Sequence, residues 1–468
     1  MKTNFFNFFS SIILFSILES CLLFESDFEV QYFKWDETNV MASLYDTYIE
    51  VEASFGSEMD KFKLALDLES TSTVLPDKNF TGRGEFKKFH SSSFEVKQNL
   101  KNVYDEKYFS GSKGVDIFQL GNSEPIIKNF SFIVASDYTY ASNKLYKYAF
   151  IGIKNFYINE EEKYQLNMID QLKKSNLIQY QTWFLNFESD SKGKFVVGTL
   201  PEAIYKSTYD ESDKITQYCY ADMTLCGLNF QEIYYGKIDD YDNRKSLEDK
   251  NHLLAAFSLN TRLIKCTSDF GTILYKNYFS KKIDDKICST EQLNDGYMYF
   301  YCEKDKINLS EMENVNFAIF HQNGNMTFIL EPKDLFYEYN NILYFLIIYK
   351  PNYYIGDKDV LWVIGNTFLQ KYLLTFNTKE RLIYFYKKKI EQFETDKNNT
   401  GNENNSIKYI IIISVISVLL IACIAILIVY ITKRAPRKKK ANELDDDFDY
   451  QTKPNKEGGE SLLINENE

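Results

Sequence analysis

Histidine is scarce in this sequence: His90, His252 and His321 are the full set in 468 residues. None stands at metal-ligand spacing from another, which argues against a zinc hydrolase. Basic blocks are also missing, apart from one short run near the C-terminus, and the formal net charge is −12. A chain of that sign gives nucleic acid no electrostatic footing, so no such partner is expected. No repeat period of 20–50 residues is visible, which sets repeat architectures aside.

Aromatics are abundant at 16 % of the chain, mostly Tyr and Phe, and they favour sheet over helix. Stretches such as "TYIEVEASFG", "KFKLALDL", "NFSFIVAS" and "KFVVGTL" alternate apolar and polar residues, the period of half-buried strands. Gly121-Asn122 and Asn323-Gly324 punctuate them as turns. One segment, Glu162–Asn176, carries Leu166, Ile169 and Leu172 at near-helical spacing and predicts a helix. The length suffices for two or three units with sizeable cores.

Two apolar runs bracket this region. Residues 1–21 combine Lys2 with a short apolar stretch, Phe5–Leu18, and read as a signal peptide rather than a span. Residues 409–431 are free of charge over 23 positions, long enough to cross a bilayer. The run "KRAPRKKK" follows as a positive-inside flank. Together they predict a single-pass type I membrane protein whose ectodomain faces the secretory or endolysosomal lumen or the cell surface. The charged tail after the apolar run argues against a GPI anchor. Residues 394–408 read as a polar stalk and 432–468 as a cytoplasmic tail. Five cysteines fall in the ectodomain (Cys219, Cys226, Cys266, Cys288 and Cys302), so pairing leaves one over. Sequons start at Asn79, Asn129, Asn308, Asn325, Asn398 and Asn404, as suits a glycosylated ectodomain.

The chemistry rests on carboxylates. Asp67 closes an apolar run in "ALDLESTSTVLP"; taken alone it is a strand-end aspartate. The segment "FGSEMDKFKLALDLESTSTVLP" nevertheless resembles the first active-site segment of pepsin-like (A1) aspartic peptidases. Gly56 falls on the turn glycine, Asp67 on the catalytic aspartate, Ser70 and Thr71 on the Ser-Ser pair, and Leu75-Pro76 on the exit. Further segments match in the family's order. "VYDEKYFSGSKGVDIFQLGN" resembles the flap and its following strand, with Gly111, Gly114, Asp116 and Gly121 in pattern and Tyr104 at the flap tyrosine. "YAFIGIKNF" resembles the family's Asp-Gly-Ile-Leu-Gly-Leu segment, and "DVLWVIGNTFLQKYLLTFNTKERLIYFY" its last conserved block, whose Leu-Gly-Asp-x-Phe stands here as Ile364-Gly365-Asn366-Thr367-Phe368. "CTSDFGTILYKNYF" resembles the second active-site segment, with Asp269 as second aspartate, 202 positions after the first. Cys288 and Cys302 flank "GYMYFYC" as the second lobe's disulfide does; Cys219–Cys226 is a further pairing, leaving Cys266 odd.

The resemblance covers roughly residues 47–390 and implies a mostly β, bilobal pepsin-like fold with a cleft between the lobes, plus the C-terminal transmembrane helix. The expected organisation is a short N-terminal segment over 22–46, an N-terminal lobe over 47–205 and a C-terminal lobe over 206–393. It implies an aspartic endopeptidase, monomeric, acting on peptide or protein substrates without metal or cofactor. Two carboxylates at one site cannot both ionise cheaply. One would activate water; the other, protonated, would bind the developing oxyanion. The motifs also depart from the family. Leu68 and Glu69 stand where Thr and Gly belong, and Phe270 follows Asp269. Family threonines there hydrogen-bond across the lobe interface, which Leu68 and Phe270 cannot do. The alternative reading is therefore a catalytically inactive pseudopeptidase that keeps the cleft for peptide or protein binding. An unrelated lectin-like β-protein is a third.

Overall fold

The structure, a computed structural model, describes residues 24–77, 89–104, 107–122, 126–140, 149–154, 167–219, 227–237, 245–246, 253–321, 324–351 and 361–386. All fall within one compact unit, Met1–Lys389. The expected signal peptide, stalk, membrane span and cytoplasmic tail lie outside the described residues. Among the described residues no helix is long and apolar enough to cross a membrane.

The protein is mostly β, and two large sheets carry it. The larger runs from Lys214–Tyr218 at one edge to the hairpin of Lys107–Leu120 and Glu95–Tyr104 at the other. Its middle is built from Phe24–Tyr32, Thr47–Phe55 and Asp60–Asp67 in antiparallel register. Alternation sets their faces: in Thr47–Phe55 the residues Thr47, Ile49, Val51 and Ala53 are buried and Tyr48, Glu50 and Glu52 are not. Beneath them Phe55 packs edge-on against Phe62, Phe118 and Phe132 at 5.7, 5.2 and 5.1 Å. The second sheet holds Leu253–Phe257, Leu361–Ile364, Ile264–Cys266, Ile347–Tyr349 and Met298–Glu303. Its core centres on Phe270, Phe317, Trp362 and Phe368.

Two boundaries differ from the sequence expectation. Residues 22–46 were expected to precede the first lobe. Instead Phe24–Tyr32 is an interior strand, hydrogen-bonded to Lys192–Val197 on one side and Thr47–Phe55 on the other. Its alternating Phe24, Phe28 and Val30 are buried, which a free leader would not require. A short helix, Val40–Tyr45, follows, with the Asn39 side chain accepting from the Ala42 N–H at 3.0 Å. At the expected boundary near 205 the sheet continues across. Lys214–Tyr218, Leu374–Asn377 and Leu382–Tyr386, from the expected second lobe, join the first sheet through Thr182–Phe187. The expected helix over 162–176 is observed as Met168–Lys174, capped by Asn167; residues 162–166 lie outside the described set.

This shared sheet joins the halves of the molecule. Trp183 lies flat on Phe376 at 4.2 Å, and Phe376 meets Phe257 of the second sheet at 5.6 Å. Residues from both sheets belong to one continuous buried apolar cluster. Cys288 and Cys302 form a disulfide across the antiparallel pair Cys288–Gln292 and Met298–Glu303. Cys219 is disulfide-bonded, its suggested partner Cys226 lies outside the described residues, and Cys266 is free and buried. Trp183→Ala is expected to cost about 3–5 kcal/mol in denaturant unfolding; a loss under about 1 kcal/mol would remove the stack from its role at the junction.

Candidate active site

Each sheet contains the same four-strand arrangement. In the first, Asp60–Asp67 runs parallel to Phe150–Gly152, pairing Asp67 with Gly152. Phe150–Gly152 meets Val74–Pro76 antiparallel, and Val74–Pro76 runs parallel to Ile127–Tyr140. In the second, Leu253–Phe257 runs parallel to Leu361–Ile364, pairing Phe257 with Ile364. Leu361–Ile364 meets Ile264–Cys266 antiparallel, and Ile264–Cys266 runs parallel to Ile347–Tyr349. Continuing the second register by one residue sets Ser258 beside Gly365, as Asp67 is beside Gly152.

The glycines verify the alignment. A Cβ on Gly152 would fall within 2.7 Å of Ser70 O, Ser72 O and Ser72 N. A Cβ on Gly365 would fall within 3.0 Å of Thr261 O, Leu263 O and Arg262 C. Ser70 therefore corresponds to Thr261 and Ser72 to Leu263, three and five residues after Asp67 and Ser258. The turn hydrogen bonds repeat as well. The Glu69 N–H donates to Asp67 Oδ1 at 3.0 Å, and the Asn260 N–H donates to Ser258 Oγ at 3.2 Å. The Ser72 N–H donates to Ser70 Oγ at 3.2 Å, and the Leu263 N–H to Thr261 Oγ1 at 3.1 Å. "Asp67-Leu68-Glu69-Ser70-Thr71" and "Ser258-Leu259-Asn260-Thr261-Arg262" are thus two copies of one loop.

Asp67 stands where a strand-end catalytic carboxylate is expected. It is 2 % exposed, and its main-chain carbonyl accepts from the Ile153 N–H at 2.8 Å. Asp269 is not its partner in this arrangement. It lies in the first turn of the helix Ser268–Leu274, exposed, one crossing-strand beyond the loop that corresponds to Asp67. The physical reason is helix initiation. Thr267 caps this helix, its Oγ1 accepting from the Phe270 N–H at 3.3 Å, and an acidic residue in the first turn complements the helix dipole. Phe270, read from the sequence as following a catalytic aspartate, is a core residue against Trp362 at 5.0 Å. The position Asp269 was expected to fill belongs to Ser258.

Tyr104 ends the strand Glu95–Tyr104 and pairs with Tyr108 across the hairpin expected as the flap. Its side chain and the tip residues 105–106 lie outside the described set. The expected Gly56 turn is observed, with φ +79°. Asp116 is buried, its Oδ1 accepting from Ser93 Oγ at 2.6 Å and the Ile117 N–H at 2.8 Å. Leu68 and Leu259 hold matching positions, and both are buried in the same apolar cluster. Asn366 supports the second loop from behind, its Nδ2 donating to Leu259 O at 3.2 Å. Burial pushes the Cys266 thiol up, which disfavours its thiolate form.

The profile of the eukaryotic aspartyl protease family matches residues 47–388. The chain belongs to the eukaryotic aspartyl protease family. No curated protein matches it. In this family member the loop Ser258–Arg262 leaves one trace in the sequence, the internal likeness of "DLESTS" to "SLNTRL". Gly152→Ala is expected to cost about 1–3 kcal/mol, because the new methyl meets backbone atoms that cannot rotate away; thermal unfolding of the variant checks this, and a neutral result would mean the loop yields.

Proposed function

We propose that this aspartyl protease family member is a non-catalytic peptide-binding protein, with Ser258 in the position of the second catalytic aspartate as the observation that carries the reading. A serine hydroxyl does not titrate in the range where a carboxylate pair shares a proton. Asp67 alone can accept a proton from water. The partner that would remain protonated and donate to the developing oxyanion is replaced by a weaker, neutral donor. Positioned acid–base catalysis is worth roughly 10²–10⁴-fold, so cleavage is expected to fall by a factor of that order. Glu69 and Asn260, in place of small residues at both loop turns, support the same reading, since each brings a polar side chain to the turn that carries the key oxygen.

The second reading, an aspartic endopeptidase, is favoured by family membership and by the buried, hydrogen-bonded placement of Asp67. One experiment separates them. The purified full-length chain is offered a diverse peptide library between pH 3 and 7, beside Asp67→Asn, Asp269→Asn and Ser258→Asp. The non-catalytic reading expects saturable peptide binding, acid-side cleavage by the natural chain at least about 10²-fold below that of Ser258→Asp, and loss of that gain when Asp67→Asn is added. Cleavage by the natural chain above that level, abolished by either Asp67→Asn or Asp269→Asn, would establish the endopeptidase instead.

We also propose that the protein is a type I membrane protein with its folded region on the lumenal or outer side. The uncharged run 409–431, the basic flank after it and the N-terminal signal support this. The chain is expected to stay in the membrane pellet at alkaline pH, and a version ending at residue 393 to be released. Retention of the shortened chain would remove the run from that role.

A further inference from the structure

We propose that Arg262 is a latch that fixes the second loop to the sheet shared by both halves of the molecule, and so positions Ser258. Arg262 is the two-fold mate of Thr71, a small buried hydroxyl residue. An arginine there has to be accommodated, and it is threaded outward. Its side chain is 6 % exposed, and Nη2 donates to Asp190 Oδ2 at 3.1 Å, on a carboxylate that is 83 % exposed. Asp190 sits in the turn between Thr182–Phe187 and Lys192–Val197 of the shared sheet. Nη1 reaches the Tyr32 hydroxyl at 3.5 Å, and the guanidinium lies 5.0 Å over the Tyr337 ring. One side chain thus meets the shared sheet, the N-terminal strand and a hairpin of the second sheet.

The main chain around it is held as well, the Arg262 carbonyl accepting from Thr367 Oγ1 at 2.6 Å. The Arg262 N–H donates to Leu44 O at 2.9 Å, and the Thr47 N–H donates to Asn260 O at 3.1 Å. Gln370 Nε2 donates to Asp190 O at 2.7 Å, so the turn is gripped twice from the second half. Thr71, at the matching place in the first loop, carries a much shorter side chain and no guanidinium. The latch matters because Leu68 and Leu259 cannot hydrogen-bond to one another between the two loops. A planar, five-donor guanidinium with a bound carboxylate and a ring face restores directional restraint by an outer route. This role is independent of whether the protein cleaves peptides.

The test compares hydrogen exchange in the two loops of the purified full-length chain. Peptides covering 258–263 report the second loop and peptides covering 67–72 report the first, an internal control by symmetry. Asp190→Asn and Arg262→Thr are each expected to speed exchange of 258–263 by about threefold or more, leaving 67–72 unchanged. The double variant is expected to match Arg262→Thr alone, since without the guanidinium the Asp190 substitution has no latch contact left to remove. Unchanged exchange, equal acceleration in both loops, or additive effects would each overturn the latch. Should Arg262→Thr fail to fold, Asp190→Asn decides alone, since its carboxylate lies on an exposed turn.

Discussion

The close approach of a glycine backbone to the floor of a loop governs this structure. At Gly152 and again at Gly365 there is no room for a side chain against the carbonyls of the loop that crosses it. That contact fixes where each loop turns, and therefore where the residue at the strand end points. Asp67 and Ser258 are set by the same backbone geometry although their chemistry differs. The shared sheet then fixes the two crossings relative to one another, through Trp183, Phe376 and Phe257. A scaffold built this way keeps its shape while the side chain at the decisive position changes.

Much of the fold was legible in the sequence because strand alternation is a local signal. Thr47–Phe55 and Asp60–Asp67 declare their faces residue by residue. The Asp67 loop was legible because it joins such a strand to a recognisable exit at Leu75-Pro76. The N-terminal strand Phe24–Tyr32 was missed for a non-local reason. Its partners, Lys192–Val197 and Thr47–Phe55, are far apart in sequence, and pairing, not pattern, makes it an interior strand. The junction near residue 205 misled in the same way, since three later strands return to the first sheet.

The second site was illegible for a sharper reason. The residues that start a helix are the residues of the motif being sought. A cap, an acidic residue in the first turn and a small residue after it give "TSDFGT", which imitates an active-site aspartate followed by Gly-Thr. The true counterpart, "SLNTR", contains no acid and leaves only its spacing and its leucine as signs. Register decides between them: parallel pairing of Phe257 with Ile364 admits Ser258 at the strand end and leaves Asp269 eleven residues further on, past the next strand.

Leu68 and Leu259 carry a thermal consequence. In a site braced by hydrogen bonds between its loops, directional restraint would persist on cooling. Here the matched positions contribute burial, whose driving force weakens as temperature falls. Their share of the stability is thus of a cold-softening kind. As temperature falls, the polar ties around the two loops carry a growing part of the restraint.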